Sequence, residues 1–374
     1  MSAILAYLAR HCDAMLRDIE TLVRAASPST RKALVDRCGR VLAELVAARL
    51  GVRGERIPQA EVGDHYRFAI GDGDRQVLLL AHHDTVWEEG RLAFRVEGSR
   101  AYGPGIFDMK GGIVQAVWAL KALVDLGVPL AKRVVLLSTS DEEIGSPTSR
   151  ALIEAEARNS AAVLVLEPAA GADGALKTAR KGVGLYRLTV RGRAAHAGSD
   201  PDKGVSAVAE LARQVLALEA LAAQEKGTTI NVGVVRGGTR SNVIPEAAEA
   251  EIDVRAATLD EARRVDAAIR GLKPVLPGAT LAVTGGINRP PMERTAAIGA
   301  LFARARVIAA RLGFSLSEAA VGGASDGNFT AALGVPTLDG LGCVGDGAHA
   351  EHEHIVIDAL APRAALLAHL LAEL

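Results

Sequence analysis

The chain has 374 residues, of which 49% are hydrophobic and 23% charged, with a formal net charge of −1. That length exceeds one ordinary core and predicts two domains, or one domain with a large insertion. The balanced charge excludes a bulk field for nucleic acid or anionic membrane, and the 3% aromatic content argues against base-stacking platforms. The three cysteines, Cys12, Cys38 and Cys343, are too few and too scattered for a disulfide framework or a thiolate zinc site. No basic leader with an apolar segment opens the chain, and no apolar run nears the ~20 residues a membrane span needs. A soluble protein of the reducing cytoplasm is expected.

Helical periodicity runs over residues 3–25 through Ile4, Leu8, Met15, Ile19, Leu22 and Val23, with a break at Ser27-Pro28-Ser29-Thr30. A second helix is predicted over about 31–49, ending at Gly51. Tyr66–Ile70 and Gln76–Ala81 read as strands around the turn Gly71-Asp72-Gly73-Asp74. The second of these delivers His82-His83-Asp84-Thr85-Val86 to a strand end. Positions two apart share a side of a strand, so His82 and Asp84 can share a site while His83 turns away. Such a pair is a metal ligand with a supporting anion, a general-base pair, or a polar strand end. Phe94–Val96 is a short extended stretch, followed by the glycine-rich loop from Gly103 to Gly112 and an apolar helix over about 112–126. Lys110-Gly111-Gly112 lacks the spacing of a phosphate loop, so a close approach of backbone and Asp108 to another group is the better reading.

Arg133–Ser138 is a strand leading into Asp141-Glu142-Glu143, and Ala162–Leu166 a strand ending at Glu167-Pro168. Strands alternating with helices predict an α/β fold with a mostly parallel sheet, whose ligands gather at the strands' carboxyl ends. From about residue 180 the pattern changes to strand 181–192, helix 202–223, strands 228–236 and 247–256, helix 259–271 and strand 280–284. That order is ferredoxin-like, so an inserted domain over 179–288 is expected between catalytic parts 1–178 and 289–374. Arg294–Leu312 resumes a helix, Val335–Leu338 is strand-like, and Asp358–Leu374 is a closing helix with Asp358 as its cap.

His82, Asp84, Asp108, Glu142, Glu143, Glu167 and a histidine of the 349–354 segment are carboxylates and imidazoles without thiolates. This donor set suits two nearby divalent metals, zinc foremost. Such a centre needs a bridging carboxylate, terminal ligands and a free acid as base.

With these stretches, together with Gly192-Arg193-Ala194-Ala195-His196, Ser241-Asn242-Val243-Ile244-Pro245, Asp253-Val254-Arg255 and Gly322-Gly323-Ala324-Ser325-Asp326, the chain resembles the zinc-dependent aminoacylase, deacetylase and carboxypeptidase family. The resemblance is nearest its glutamate carboxypeptidase branch, through the 94–105 segment and Arg289-Pro290. It implies a zinc-exopeptidase-like catalytic domain with an inserted dimerisation or lid domain, and a homodimer. By resemblance His82 and Glu167 hold one zinc, Glu143 and His349 the other, and Asp108 bridges both; cobalt or manganese are substitutes. Asp84 orients His82, Glu142 is the general base, and His196 reaches the partner subunit's site to steady an oxyanion, with Asn242 assisting. Arg255 and Arg289 pair with a substrate carboxylate, and Gly323 and Ser325 offer hydrogen-bond donors. Met109 departs from the glutamate carboxypeptidase branch, which carries an acid there.

Three alternatives are weaker. Gly323-Ala324-Ser325-Asp326-Gly327 fits a serine-hydrolase elbow but has no convincing strand before it and leaves the earlier acids without a role. His352 and His354 compete with His349 on composition, though not on position in the family pattern. A non-enzymatic dimer predicts gaps in the ligand set, and none is seen. The expected activity is hydrolysis of an amide next to a carboxylate-bearing amino acid, as a carboxypeptidase on a short peptide or as a deacylase on an N-acyl amino acid.

Overall fold

The computed structural model describes residues 2–374. The chain separates into two compact units. The first runs through Ala179 and takes up Arg294–Val321 and Ser325–Leu374; the second is Arg180–Glu293 with Gly322–Ala324.

In the first unit a six-stranded sheet has the spatial order Glu55–Ile57, His65–Ile70, Arg133–Thr139, Gln76–His82, Ser160–Val165, Thr337–Leu338. Arg133–Thr139, Gln76–His82, Ser160–Val165 and Thr337–Leu338 run parallel, while the first two strands of that order are antiparallel. Every residue of Gln76–His82 is buried, because helices cover both faces. Val77, Leu79 and Ala81 enter one core with Trp118, Leu120 and Leu366. Leu78 and Leu80 enter another with Ile153, Ala157 and Phe329. The helix Gly111–Asp125 is buried over almost its whole length, which explains why its sequence shows so little amphipathic contrast.

Three sequence expectations are corrected here. Tyr66–Ile70 and Gln76–Ala81 do not pair around their turn; Arg133–Thr139 lies between them. A strand apolar on both faces gains more from parallel neighbours on each side than from a hairpin at the sheet edge. The first helix is two, Ala3–Arg10 and Cys12–Arg24, broken at His11, whose Nδ1 lies 2.8 Å from the Tyr7 carbonyl oxygen. Asp358 is no cap: it lies in a short turn, Ile357–Ala359, ahead of the helix Leu360–Glu373.

The second unit is a four-stranded antiparallel sheet, ordered Thr229–Gly237, Ala247–Ala256, Gly182–Arg191, Thr280–Arg289. The helices Ala207–Glu219 and Leu259–Arg270 pack with it around Tyr186, Leu188, Val190, Leu211, Ile252 and Val265. Strand-helix-strand-strand-helix-strand with this neighbour order is the ferredoxin-like arrangement. Its last strand runs beyond the expected Thr284 to Arg289, paired along Gly182–Arg191. Gly285, at φ 90°, permits this: a Cβ there would stand 2.1 Å from the Leu185 carbonyl oxygen.

Candidate metal centre

Parallel register aligns the strand ends: His82 stands beside Thr139, and Leu80 beside Val165. The segments that continue from these ends carry Glu142, Glu143 and Glu167, so one end of the sheet receives His82 and all three acids. Asp108 comes from the turn Ile106–Lys110, directly before the buried helix. His349 comes from the turn between Gly345–Asp346 and His354–Val356 and holds a left-handed backbone, φ 63°.

The side chains fall into two triplets sharing one carboxylate. His82 Nε2 is 3.3 Å from Asp108 Oδ1 and 3.6 Å from Glu167 Oε1. His349 Nε2 is 3.4 Å from Asp108 Oδ2 and 3.3 Å from Glu143 Oε2. Each oxygen of Asp108 therefore faces a different histidine–glutamate pair. One donor atom from each of His82, Asp108 and Glu143 can be chosen so that all lie within 4.8 Å of one another.

These residues fit a bound cation. His82 Nε2, Asp108 Oδ1 and Glu143 Oε1 are buried without a hydrogen-bond partner among the described residues. Buried polar atoms left so are costly unless something else satisfies them. Donor atoms bonded at about 2.1 Å in a tetrahedron stand about 3.4 Å apart, which matches the spacings in both triplets. The charge balance points the same way. Burial works against charge on His82, yet Asp108, Asp84 and Glu167 push its proton affinity well above the ordinary value. His349, between Asp108 and Glu143, is pushed up to about 10, with burial opposing. Burial would raise Asp108, but His349 and His82 hold it well below the usual carboxylate range. Glu143 is raised, by burial and by the charge of Asp108, with His349 opposing. The cluster is short of positive charge, and protons or a metal can supply it.

Asp84 is completely buried and ties the cluster together. Its carboxylate lies 3.4 Å from His82 Nδ1, while the Asp84 carbonyl oxygen lies 3.1 Å from the same nitrogen. It also accepts the Ser29 hydroxyl at 2.7 Å and the backbone N–H groups of Glu142 and Glu143, each at 3.3 Å. One carboxylate thus orients the histidine and fixes the turn carrying both glutamates. Glu142 is near enough for its charge to raise His82. His83 points away: its Nδ1 lies 3.0 Å from the Ser138 hydroxyl, and burial lowers its pKa to about 3, so it is neutral. His352 contributes its carbonyl oxygen to His354 Nδ1 at 2.9 Å, and neither histidine joins the triplets.

His196, Asn242, Arg255, Arg289 and Gly323 lie in the second unit. His196 is exposed, and its Nδ1 accepts the backbone N–H groups of Gly198 and Ser199 at 3.1 and 2.9 Å. Asn242 lies alongside, its carbonyl oxygen accepting Ala197 N–H at 3.0 Å. Arg255 and Arg289 both stand beside Val183, in one row across three strands. Arg255 makes a two-point ion pair with Asp253, at 2.7 and 2.8 Å, so the carboxylate it meets here is its neighbour's. Arg289 is buried and donates to the Asn288 side-chain oxygen. The Gly323 carbonyl oxygen accepts from Arg180 at 3.0 Å.

Ser325 lies in the first unit. It is fully buried; its hydroxyl donates to Asp339 at 2.7 Å and accepts Gly327 N–H at 3.1 Å. It staples a loop, and its carboxylate partner stands where a serine nucleophile would need a histidine.

Sequence reasoning missed Glu353. This residue is buried, and it accepts Trp87 Nε1–H at 2.5 Å and the backbone N–H groups of Gly105, Phe107 and Asp108 at 3.0, 2.9 and 3.1 Å. Burial pushes its carboxyl up to about 7, with those donors opposing the rise. The glycine-rich loop was the available signal, because its N–H groups need an acceptor somewhere.

A carboxylate–imidazole cluster with the separations of a metal site, buried except at His349 and set at the carboxyl ends of parallel strands, defines the class as a metal-binding α/β protein. Residues 78–373 match Peptidase family M20/M25/M40, and the chain belongs to that family of metallopeptidases and amidohydrolases. It is 32% identical over 373 residues to carboxypeptidase G2 of Pseudomonas sp. (strain RS-16), covering 96% of this chain and 89% of that one. It is 32% identical over 201 residues to acetylornithine deacetylase of Myxococcus xanthus, half of each chain. In fold it is similar to aminopeptidase PepT of Bacillus cereus, with TM-score 0.79 and 22% identity over 97% of this chain and 98% of that one. An M20 family metallo-carboxypeptidase from Sulfolobus solfataricus gives TM-score 0.74 at 18% identity, over 96% and 98%. No helix of the described residues is long and apolar enough to cross a membrane.

Proposed function

We propose that the protein is a two-zinc carboxypeptidase that removes a carboxylate-bearing amino acid, glutamate foremost, from the end of a short peptide or N-acyl compound. The observation carrying two metals is Asp108, whose oxygens face separate histidine–glutamate pairs. His82 and Glu167 would hold one zinc, His349 and Glu143 the other, and Asp108 both. Bound zinc supplies Lewis acidity toward water and the amide carbonyl. Glu142, in the turn whose backbone Asp84 holds, accepts a proton from the attacking water and passes it to the departing nitrogen. His196, with Nδ1 occupied as an acceptor, carries its proton on Nε2 and donates a hydrogen bond from it to the developing oxyanion of the partner subunit's site in a homodimer, with Asn242 beside it. Arg289 receives the substrate carboxylate; Arg255 joins it if its pairing with Asp253 yields, and Gly323 supplies backbone contacts nearby. Cobalt or manganese should replace zinc in this donor set. The three free cysteines, two of them buried, suit a reducing cytoplasm.

Similarity to carboxypeptidase G2 over nearly the whole chain favours peptide cleavage. A second reading, N-acyl amino acid deacylation, is favoured by the half-chain similarity to acetylornithine deacetylase. The two differ in which side of the amide is large. A panel of N-acyl amino acids and dipeptides, assayed with zinc, cobalt or manganese, separates them. Higher kcat/KM on C-terminal glutamate peptides supports the first reading, preference for small acyl groups on free amino acids supports the second, and no hydrolysis with any metal rejects both.

A further inference from the structure

Glu353 occupies a place that metal binding by itself does not require. Each oxygen of its carboxylate accepts two N–H donors. Oε1 takes Phe107 and Asp108; Oε2 takes Gly105 and the Trp87 indole. Its own backbone belongs to the His349 turn: Glu353 N–H bonds to the Ala350 carbonyl oxygen, and Ala350 N–H to that of Gly347, both at 2.8 Å. The Glu353 carbonyl oxygen meets Gly103 N–H at 3.4 Å. One residue therefore joins three segments: the loop after Asp84, the Gly103–Asp108 loop, and the turn carrying His349.

We propose that Glu353 is a positioning residue that holds Asp108 and His349 at one fixed separation, so that Asp108 can present one oxygen to each metal position. The inference rests on reading Asp108 as the shared ligand. Four N–H donors, two at each oxygen, make the side chain a strong anchor, because only a group that accepts at both ends satisfies all of them. The donors leave no room for substitution by an amide. In Glu353→Gln the new NH2 group must face a pair of N–H donors whichever way the side chain is turned.

Zinc affinity of E353Q is measured by equilibrium dialysis in metal buffers, with the absorption spectrum of the cobalt-loaded protein recorded alongside. The expected result is an apparent zinc Kd weakened 10- to 100-fold, a changed cobalt spectrum, and kcat lowered with KM within about twofold. A role confined to folding would lower Tm and leave the Kd and spectrum of the folded protein at parent values, and that outcome overturns the proposal. If E353Q does not fold, Glu353→Asp carries the test. Its carboxylate falls one methylene short, so weakened zinc binding supports the proposal, and parent binding with the parent cobalt spectrum overturns it. Asp108→Asn separates the two levels. Parent stoichiometry in D108N rejects the shared-ligand reading itself, whereas metal loss in D108N with parent behaviour in E353Q rejects only the role of Glu353.

Discussion

His82 and His196 are both imidazoles oriented through Nδ1, but in opposite senses. His82 Nδ1 faces the carbonyl oxygen of Asp84, so Nδ1 keeps a proton and Nε2 is the nitrogen turned into the acidic cluster, where a cation can replace its proton. His196 Nδ1 receives N–H groups from Gly198 and Ser199, so the proton sits on Nε2, which is free to donate from an exposed loop. One ring is prepared to bind a cation and the other to bind an anion. The surroundings follow suit. Around His82 are acids at a buried strand end; around His196 are backbone groups of a surface turn. The tautomer, and so the chemistry, is set by main-chain atoms that residue type does not reveal.

Substitutions at the two histidines' surroundings should separate chemistry from metal binding. Glu142→Ala should lower kcat about 10²- to 10⁴-fold while metal content, measured by elemental analysis, stays at the parent level; an unchanged rate would remove Glu142 as the base. His196→Ala should cost about 10²- to 10³-fold in kcat, also with no change in zinc Kd. Mixing inactive E142A and H196A subunits should restore part of the activity. No recovery under demonstrated subunit exchange would sink the partner-subunit role. Asp84→Asn acts on the other side of the comparison and should weaken zinc binding about 10- to 100-fold, seen by dialysis.

Smaller effects sharpen it. In the metal-free protein His349 titrates near 10, above its unfolded value of about 6.5. Its contribution to stability is thus fully present below about pH 6.5 and is lost as pH rises through about 10. Tm of the metal-stripped protein should fall over that window, while zinc affinity rises as the competing proton leaves. A pH-independent difference between stripped and loaded protein would contradict this. The smallest effect belongs to Ser325→Ala, which should cost about 1–2 kcal/mol in denaturant unfolding and leave kcat/KM unchanged; lost activity in the folded variant would return Ser325 to the site.

The catalytic fold was legible because its strands are apolar runs ending in acids and histidines, and parallel strands deliver such ends to one edge. The same logic places His82, Asp84, Glu142, Glu143 and Glu167 together from the sequence. Asp108 and a histidine of the 349–354 segment were candidates by residue type, but the shared place of Asp108 and the choice of His349 came from resemblance, since loop residues carry no periodicity. The neighbours of each strand were not legible: the turn at Gly71–Asp74 suggests a hairpin, and only the burial of Gln76–His82 on both faces explains the strand inserted there. Ser325 and Arg255 looked available because sequence does not show that Asp339 and Asp253 already hold them. Glu353 was hidden for the converse reason, as three of its four donors are backbone groups.

The strand Gln76–His82 has a further consequence. Both of its faces are apolar, so a slip by one residue would still bury leucines and valines, and hydrophobicity alone cannot fix the register. What distinguishes the registers is polar and sits at the ends. Gln76 is buried and donates to the Glu156 carbonyl oxygen, its carboxylate and the Ser160 hydroxyl, at 2.8–3.1 Å. His83 is held against Ser138. These two act as stops at either end of a sliding rod. The histidine that faces away from the acidic cluster is therefore part of what aims its neighbour into it, and replacing both stops with apolar residues should leave the sheet folded but His82 displaced from Asp108 and Glu167.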